Sequence, residues 1–115
     1  MSSDCALDLV QHSSNAYDAV NAMCQITGGP LPPRLVYEAL GNLTSMANVL
    51  PAVLNEFILG LYRALEPPPL DDTRAAGQAA CVMEAERHLR HVVALASLMA
   101  LELGNAQNAI NRGMA

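Results

Sequence analysis

The sequence predicts an all-α protein, an up-down bundle of three long helices, and three observations carry that expectation. Apolar residues recur at spacings of three and four in three separate segments, and this period puts them on one helix face. Two runs rich in proline, the first also carrying paired glycines, divide those segments. The hydrophobic share of 52% is mostly alanine, leucine and valine, while aromatics make up only 3%. Close-packed helices favour that composition, because alanine and leucine are strong helix formers and little space is left for rings.

The first helix is expected over residues 4–27. Ser2 or Ser3 can cap it, and Asp4 lies favourably against the dipole of its first turn. Its stripe is Leu7, Val10, Tyr17, Val20 and Cys24, and Thr27-Gly28-Gly29-Pro30 together with Pro32 and Pro33 end it.

The second helix is expected over 33–66, with Pro33 well suited to a first helical position. Val36, Leu40, Leu43, Ala47, Leu50, Leu54, Ile58, Leu61 and Leu65 form its stripe, which runs in phase through Pro51. A proline there removes one backbone hydrogen bond and crowds the carbonyl of Ala47, at a cost of ~3 kcal/mol. The helix is therefore kinked at Pro51, or broken there, which would make the helices four. Length favours the kinked form: two folded-back pieces of about 24 Å each would leave half of the last helix uncovered.

After Glu66-Pro67-Pro68-Pro69-Leu70-Asp71, the last helix is expected over 73–111, capped by Asp72 or Thr73. Ala75, Ala79, Val82, Glu86, Leu89, Val93, Ala96, Ala100 and Leu103 are its heptad-like positions. Met83, Val92, Leu95, Met99 and Ala106 form a second row, with Leu98, Leu101 and Ile110 further round. From Val92 to Leu103 apolar surface covers more than half of the circumference, and such a helix needs cover on most sides. The expectation is a homodimer or higher homo-oligomer that uses Val92, Leu95, Leu98, Met99, Leu101 and Leu103 as its interface, this helix meeting its own copy. The competing arrangement is a monomer whose first two helices wrap the third completely.

At 115 residues the chain is one expected domain, able to bury roughly two-thirds of its unfolded surface. Its formal charge is −5, and every basic side chain is an arginine: Arg34, Arg63, Arg74, Arg87, Arg90 and Arg112. Six scattered arginines do not make the clustered basic face that nucleic acid requires, so a small regulator contacting nucleic acid as a dimer is only a third reading. Cys5, Cys24 and Cys81 are odd in number and widely spaced, which supports neither a disulfide framework nor a zinc site and points to small buried thiols in a reducing compartment. The polar, acidic N-terminal residues lack the positive region of a secretory signal. The most apolar segment, Val92 to Leu101, is too short for the ~20 residues of a bilayer span. The expectation is a soluble, cytoplasmic protein with no membrane contact.

Glu84, His88 and His91 stand at i, i+4 and i+7 on the last helix, a metal-ligand spacing that makes a metal- or ligand-binding bundle the second reading. Glu38 or Glu56 would have to complete the ligand set, and the Glu-x-x-His pattern of di-iron bundles is absent. The competing interpretation is a solvated charged face with i, i+4 pairing such as Glu86 with Arg90. Cys81 with His88 forms no complete nucleophilic arrangement, since no orienting third group or oxyanion donor accompanies it. Gly28, Gly29 and Gly41 lack the flanking strand of a phosphate loop, so they are breakers and a close-contact site. No cofactor is called for. These exclusions leave a non-enzymatic helical interaction or adaptor protein as the first reading.

Leu35 to Leu43, followed by Leu50-Pro51 and by Ala106-Gln107-Asn108-Ala109-Ile110, resembles small all-helical hypothetical proteins of actinobacteria. That resemblance spans about residues 30–112. It implies a helical accessory protein and transfers no activity or site residue.

Overall fold

The computed structural model describes residues 3–26, 28–65 and 72–114, with the side chains of 3–6, 72, 73 and 75 outside the description. Three α-helices form in it, and no strand occurs among the described residues. They are α1, Ser3–Ile26; α2, Pro33–Arg63; and α3, Asp72–Met114. The caps expected from Ser2 or Ser3 and from Asp72 or Thr73, the breaker Thr27, the heptad position Ala75 and the loop 66–71 lie outside the described residues or side chains.

The chain divides into two compact units, Met1–Pro32 and Pro33–Ala115. The first contains α1, whose described side chains from Leu7 to Ile26 are all exposed. Local bonds decorate this helix: Gln11 Nε2 donates to Asn15 Oδ1 at 2.9 Å, and Ser13 Oγ to the carbonyl of Val10 at 2.7 Å. The Gly28 amide donates to the Ile26 carbonyl at 2.9 Å, and the bend at Gly28 and Gly29 leads into Pro30 and Pro32, which end regular structure as expected.

The second unit is an antiparallel hairpin. Tyr62 near the end of α2 meets Glu86 near the start of α3, while Tyr37 and Gly41 near the start of α2 meet Gln107 near the end of α3. Partner residues therefore have numbers summing to about 147. At 1.5 Å per residue α2 is about 46 Å long and α3 about 64 Å, so α3 overhangs at its N-terminal end. Arg63 and Arg112 occupy the last turns of α2 and α3, where positive charge complements the dipole. The backbone leaves α2 through a turn at Ala64 and Leu65, three residues short of the expected end, whereas α3 continues past the expected Asn111 to Met114.

Helix α2 runs unbroken through Pro51, so the two-helix alternative is not what forms. Burial on both sides of the proline offsets its local cost, since Ala47 precedes it and Leu54 and Ile58 follow it in the seam. The buried residues are Ala47, Leu54 and Ile58 on α2 and Ala96 and Ala100 on α3. All the α3 heptad positions from Ala79 to Leu103 are at least half-buried, as the spacing predicts.

On α2 the seam departs from the expected stripe. Leu50 and Leu61 are exposed, and Pro51 and Tyr62 take the half-buried positions beside Ala47, Leu54 and Ile58. The reason is period. Facing helices keep contact at 3.5 residues per turn, and the run 47, 51, 54, 58 holds that phase whatever its side chains are.

Candidate interaction surface

In an antiparallel pair, the positions just before each seam residue all lie on one side of the plane through the two axes. Those just after lie on the other, because reversing the chain compensates the helix hand. The sequence makes these two sides of the hairpin chemically different.

One side carries most of the polar groups. Ser45, Asn48 and Asn55 of α2 and Arg90, Ser97 and Asn108 of α3 stand on it beside the apolar Leu59, Met83 and Leu101, and the seam residues Tyr62 and Glu86 border it. The Tyr62 hydroxyl donates to Glu86 Oε1, and Arg90 Nε donates to Glu86 Oε2 at 2.8 Å, so the expected Glu86–Arg90 pair forms and also reaches across to α2. The hydrogen bond from Tyr62, and then that from Arg90, hold the Glu86 carboxyl below its usual range. The same bond to Glu86 is the main cause raising the Tyr62 hydroxyl above its usual value. At the far end Gln107 Nε2 donates to the Tyr37 carbonyl at 3.1 Å. A Cβ on Gly41 would fall 2.8 Å from that nitrogen, so Gly41 is the close-contact position expected from the sequence.

The other side is apolar. On α2 it carries Ala39, Leu43, Met46, Leu50, Val53, Phe57, Leu61 and Ala64, a complete heptad row with no polar member. On α3 the matching row is Cys81, Ala85, His88, Val92, Leu95, Met99, Glu102 and Ala106. Met46, Leu50, Val53, Phe57 and Leu61 are 36–49% exposed, and Val92, Leu95 and Met99 40–62%. These eight side chains stand on one side of the hairpin, and clustered exposed apolar surface of this kind marks interaction sites.

Of the interface residues expected from the sequence, Val92, Leu95 and Met99 share this side. Leu98 points directly away from the seam, Leu101 stands on the polar side, and Leu103 is half-buried in the seam itself. The α2 half of the patch escaped the sequence reading, which had placed Leu50 and Leu61 inside the core. Stepping the α2 stripe by a strict heptad from Ala47 would have exposed it.

Glu84, His88 and His91 are exposed on α3, and among the described residues no group of three or more His, Cys, Asp and Glu side chains could hold a metal ion. Positions i and i+7 of one helix are about 10 Å apart along its axis, too far for Glu84 and His91 to share an ion without help from another element. His12 is exposed on α1. Cys24 and Cys81 are exposed, where the sequence suggested buried thiols; Cys81 falls on the open side because it precedes the seam residue Val82.

By length and composition α2 is the one helix among the described residues able to cross a membrane. The sequence reading had named Val92 to Leu101 as the most apolar segment. Ala39 through Asn55 contains no charged residue, and helix continuity at Pro51 joins its halves. Only 17% of the 18-residue stretch of α2 that qualifies is buried. Asn48 and Asn55 lie together on the polar side of the hairpin.

No protein-family model matches the chain, and no curated protein or solved structure matches it either.

Proposed function

We propose that the chain is a non-enzymatic helical interaction protein that self-associates through the α2–α3 hairpin, with Val92, Leu95 and Met99 of α3 at the centre of the interface. One observation carries the proposal: α2 turns an uninterrupted apolar row, and α3 the run Val92, Leu95 and Met99, to the same side, and the hairpin's own seam leaves them open. Among the described residues the seam has five that are buried, three of them alanines, so much of the apolar surface of the two helices stays in contact with water. Covering the open side adds the missing burial.

The open side fits a second copy. Two helices offering eight exposed apolar side chains on one side present a face of the kind that a standard interface of ~800 Å² per partner uses, and stacking two hairpins completes an up-down bundle. In this reading the protein works in the aqueous cytoplasm, and the apolarity of α2 serves protein contact instead of lipid. A dimer or higher homo-oligomer is expected by sedimentation equilibrium at tens of micromolar. A strict monomer there overturns the proposal.

A further inference from the structure

Both open rows are nearly symmetric about their own midpoints, and the two midpoints coincide. On α2, Leu50 mirrors Val53, Met46 mirrors Phe57, Leu43 mirrors Leu61 and Ala39 mirrors Ala64, about a centre between Ala47 and Leu54 in the seam. On α3, Val92 mirrors Met99 and His88 mirrors Glu102, about Leu95. The α2 centre near residue 52 and the α3 centre near 95 add up to within one residue of the sum that Tyr62–Glu86 and Gly41–Gln107 set for the hairpin register. The two centres therefore lie at one level of the hairpin.

From this we infer that the occupant of the open side is a second copy related by a two-fold axis perpendicular to the helices. The axis passes through Leu95 and between Leu50 and Val53, so each helix crosses its own copy antiparallel. This deepens the proposed function and rests on it. Leu95 meets Leu95 of the partner subunit, Val92 meets the partner's Met99, and Met46 meets the partner's Phe57, each contact joining side chains of similar size.

Pairing of the polar residues selects this packing over the other two-fold arrangement, in which α2 lies over the partner's α3. There Glu102 would be pressed against Met46 and Leu43 and His88 against Phe57, leaving a carboxylate desolvated without a partner. Crossing α3 on its own copy instead brings the His88 imidazole N–H to Glu102 of the partner subunit, once at each end of the apolar patch. Within one chain these two residues are about 21 Å apart along α3 and cannot touch. Coupling between them therefore reports contact between copies.

The test is a charge exchange in the full chain, read as the dimer dissociation constant by sedimentation, with circular dichroism confirming helix content. His88→Glu sets one carboxylate against the partner's Glu102 at each end of the patch, and about a tenfold weakening is expected; adding Glu102→Arg should restore affinity to within about threefold of the parent. If the parent chain associates but the double variant is as weak as the product of its single variants, the arrangement falls and self-association stands. If the parent does not associate, both fall.

Discussion

The polar and apolar sides of the α2–α3 hairpin are made from the same two helices, two residues apart in register with the seam between them, and they do different work. Bordering the polar side, the seam residue Tyr62 ties the helices together through Glu86, which Arg90 of α3 also holds, and Gln107 does so through the Tyr37 carbonyl. The apolar side contains no such tie, and its side chains remain open. Hydrogen bonds are directional and apolar contacts are not. Three of the five buried seam residues described are alanines, which supply few knobs to fix sliding, so the polar links help set the register and the opposite side is left for assembly.

The strongest way to break this comparison is to place the same change on each side. Leu95 and Leu101 are comparably exposed, at 62% and 59%. Leu95→Glu is expected to abolish association at tens of micromolar, whereas Leu101→Glu should leave the sedimentation profile of the parent; equal effects would erase the distinction between the sides. Ile58→Ala acts on the seam that both sides share, and the lost burial plus cavity should cost about 2–4 kcal/mol in chemical denaturation.

A smaller effect is expected from Tyr62→Phe, which removes the polar link while keeping the ring. Because the Glu86 carboxyl is held low, its contribution is present above the ordinary carboxylate range, near 4.3, and is lost as pH falls through the lowered folded value. Because the Tyr62 hydroxyl is held high, its contribution is present below about pH 10 and is lost as pH rises through the raised value. The difference in melting temperature between parent and Tyr62→Phe should therefore be largest between those limits and shrink toward both. A constant difference across pH would show that the ring contact matters and the bond does not. Smallest of all is Gly41→Ala: about 1 kcal/mol of helix propensity is gained, and displacing Gln107 loses a bond of about the same worth. Melting should shift little, while Gln107→Ala, with no compensating gain, should lower it.

Helix number, the two breaks and the α3 seam were legible in the sequence because they depend on local rules. Gly28-Gly29-Pro30 cannot continue a helix, and Ala79 to Leu103 keep a 3.5-residue phase whatever they pack against. The α2 seam was harder to see. Hydrophobicity favours Leu50 over Pro51 and Leu61 over Tyr62, yet the geometry of pairing chooses the less apolar member of each pair. The same substitution hid half of the open patch, whose leucines read as core. Tyr62 with Glu86 was invisible for another reason, since a bond between residues 24 positions apart has no local signature.

The open apolar side has a thermal consequence. Burying such surface is driven mainly by solvent entropy near room temperature and carries a large negative heat-capacity change, so its strength fades on cooling. Assembly through Val53, Phe57, Val92 and Leu95 should loosen toward ice temperature and tighten on warming to ambient conditions, a trend opposite to that of contacts driven by enthalpy. A preparation kept cold would then hold more single chains than the same preparation on the bench.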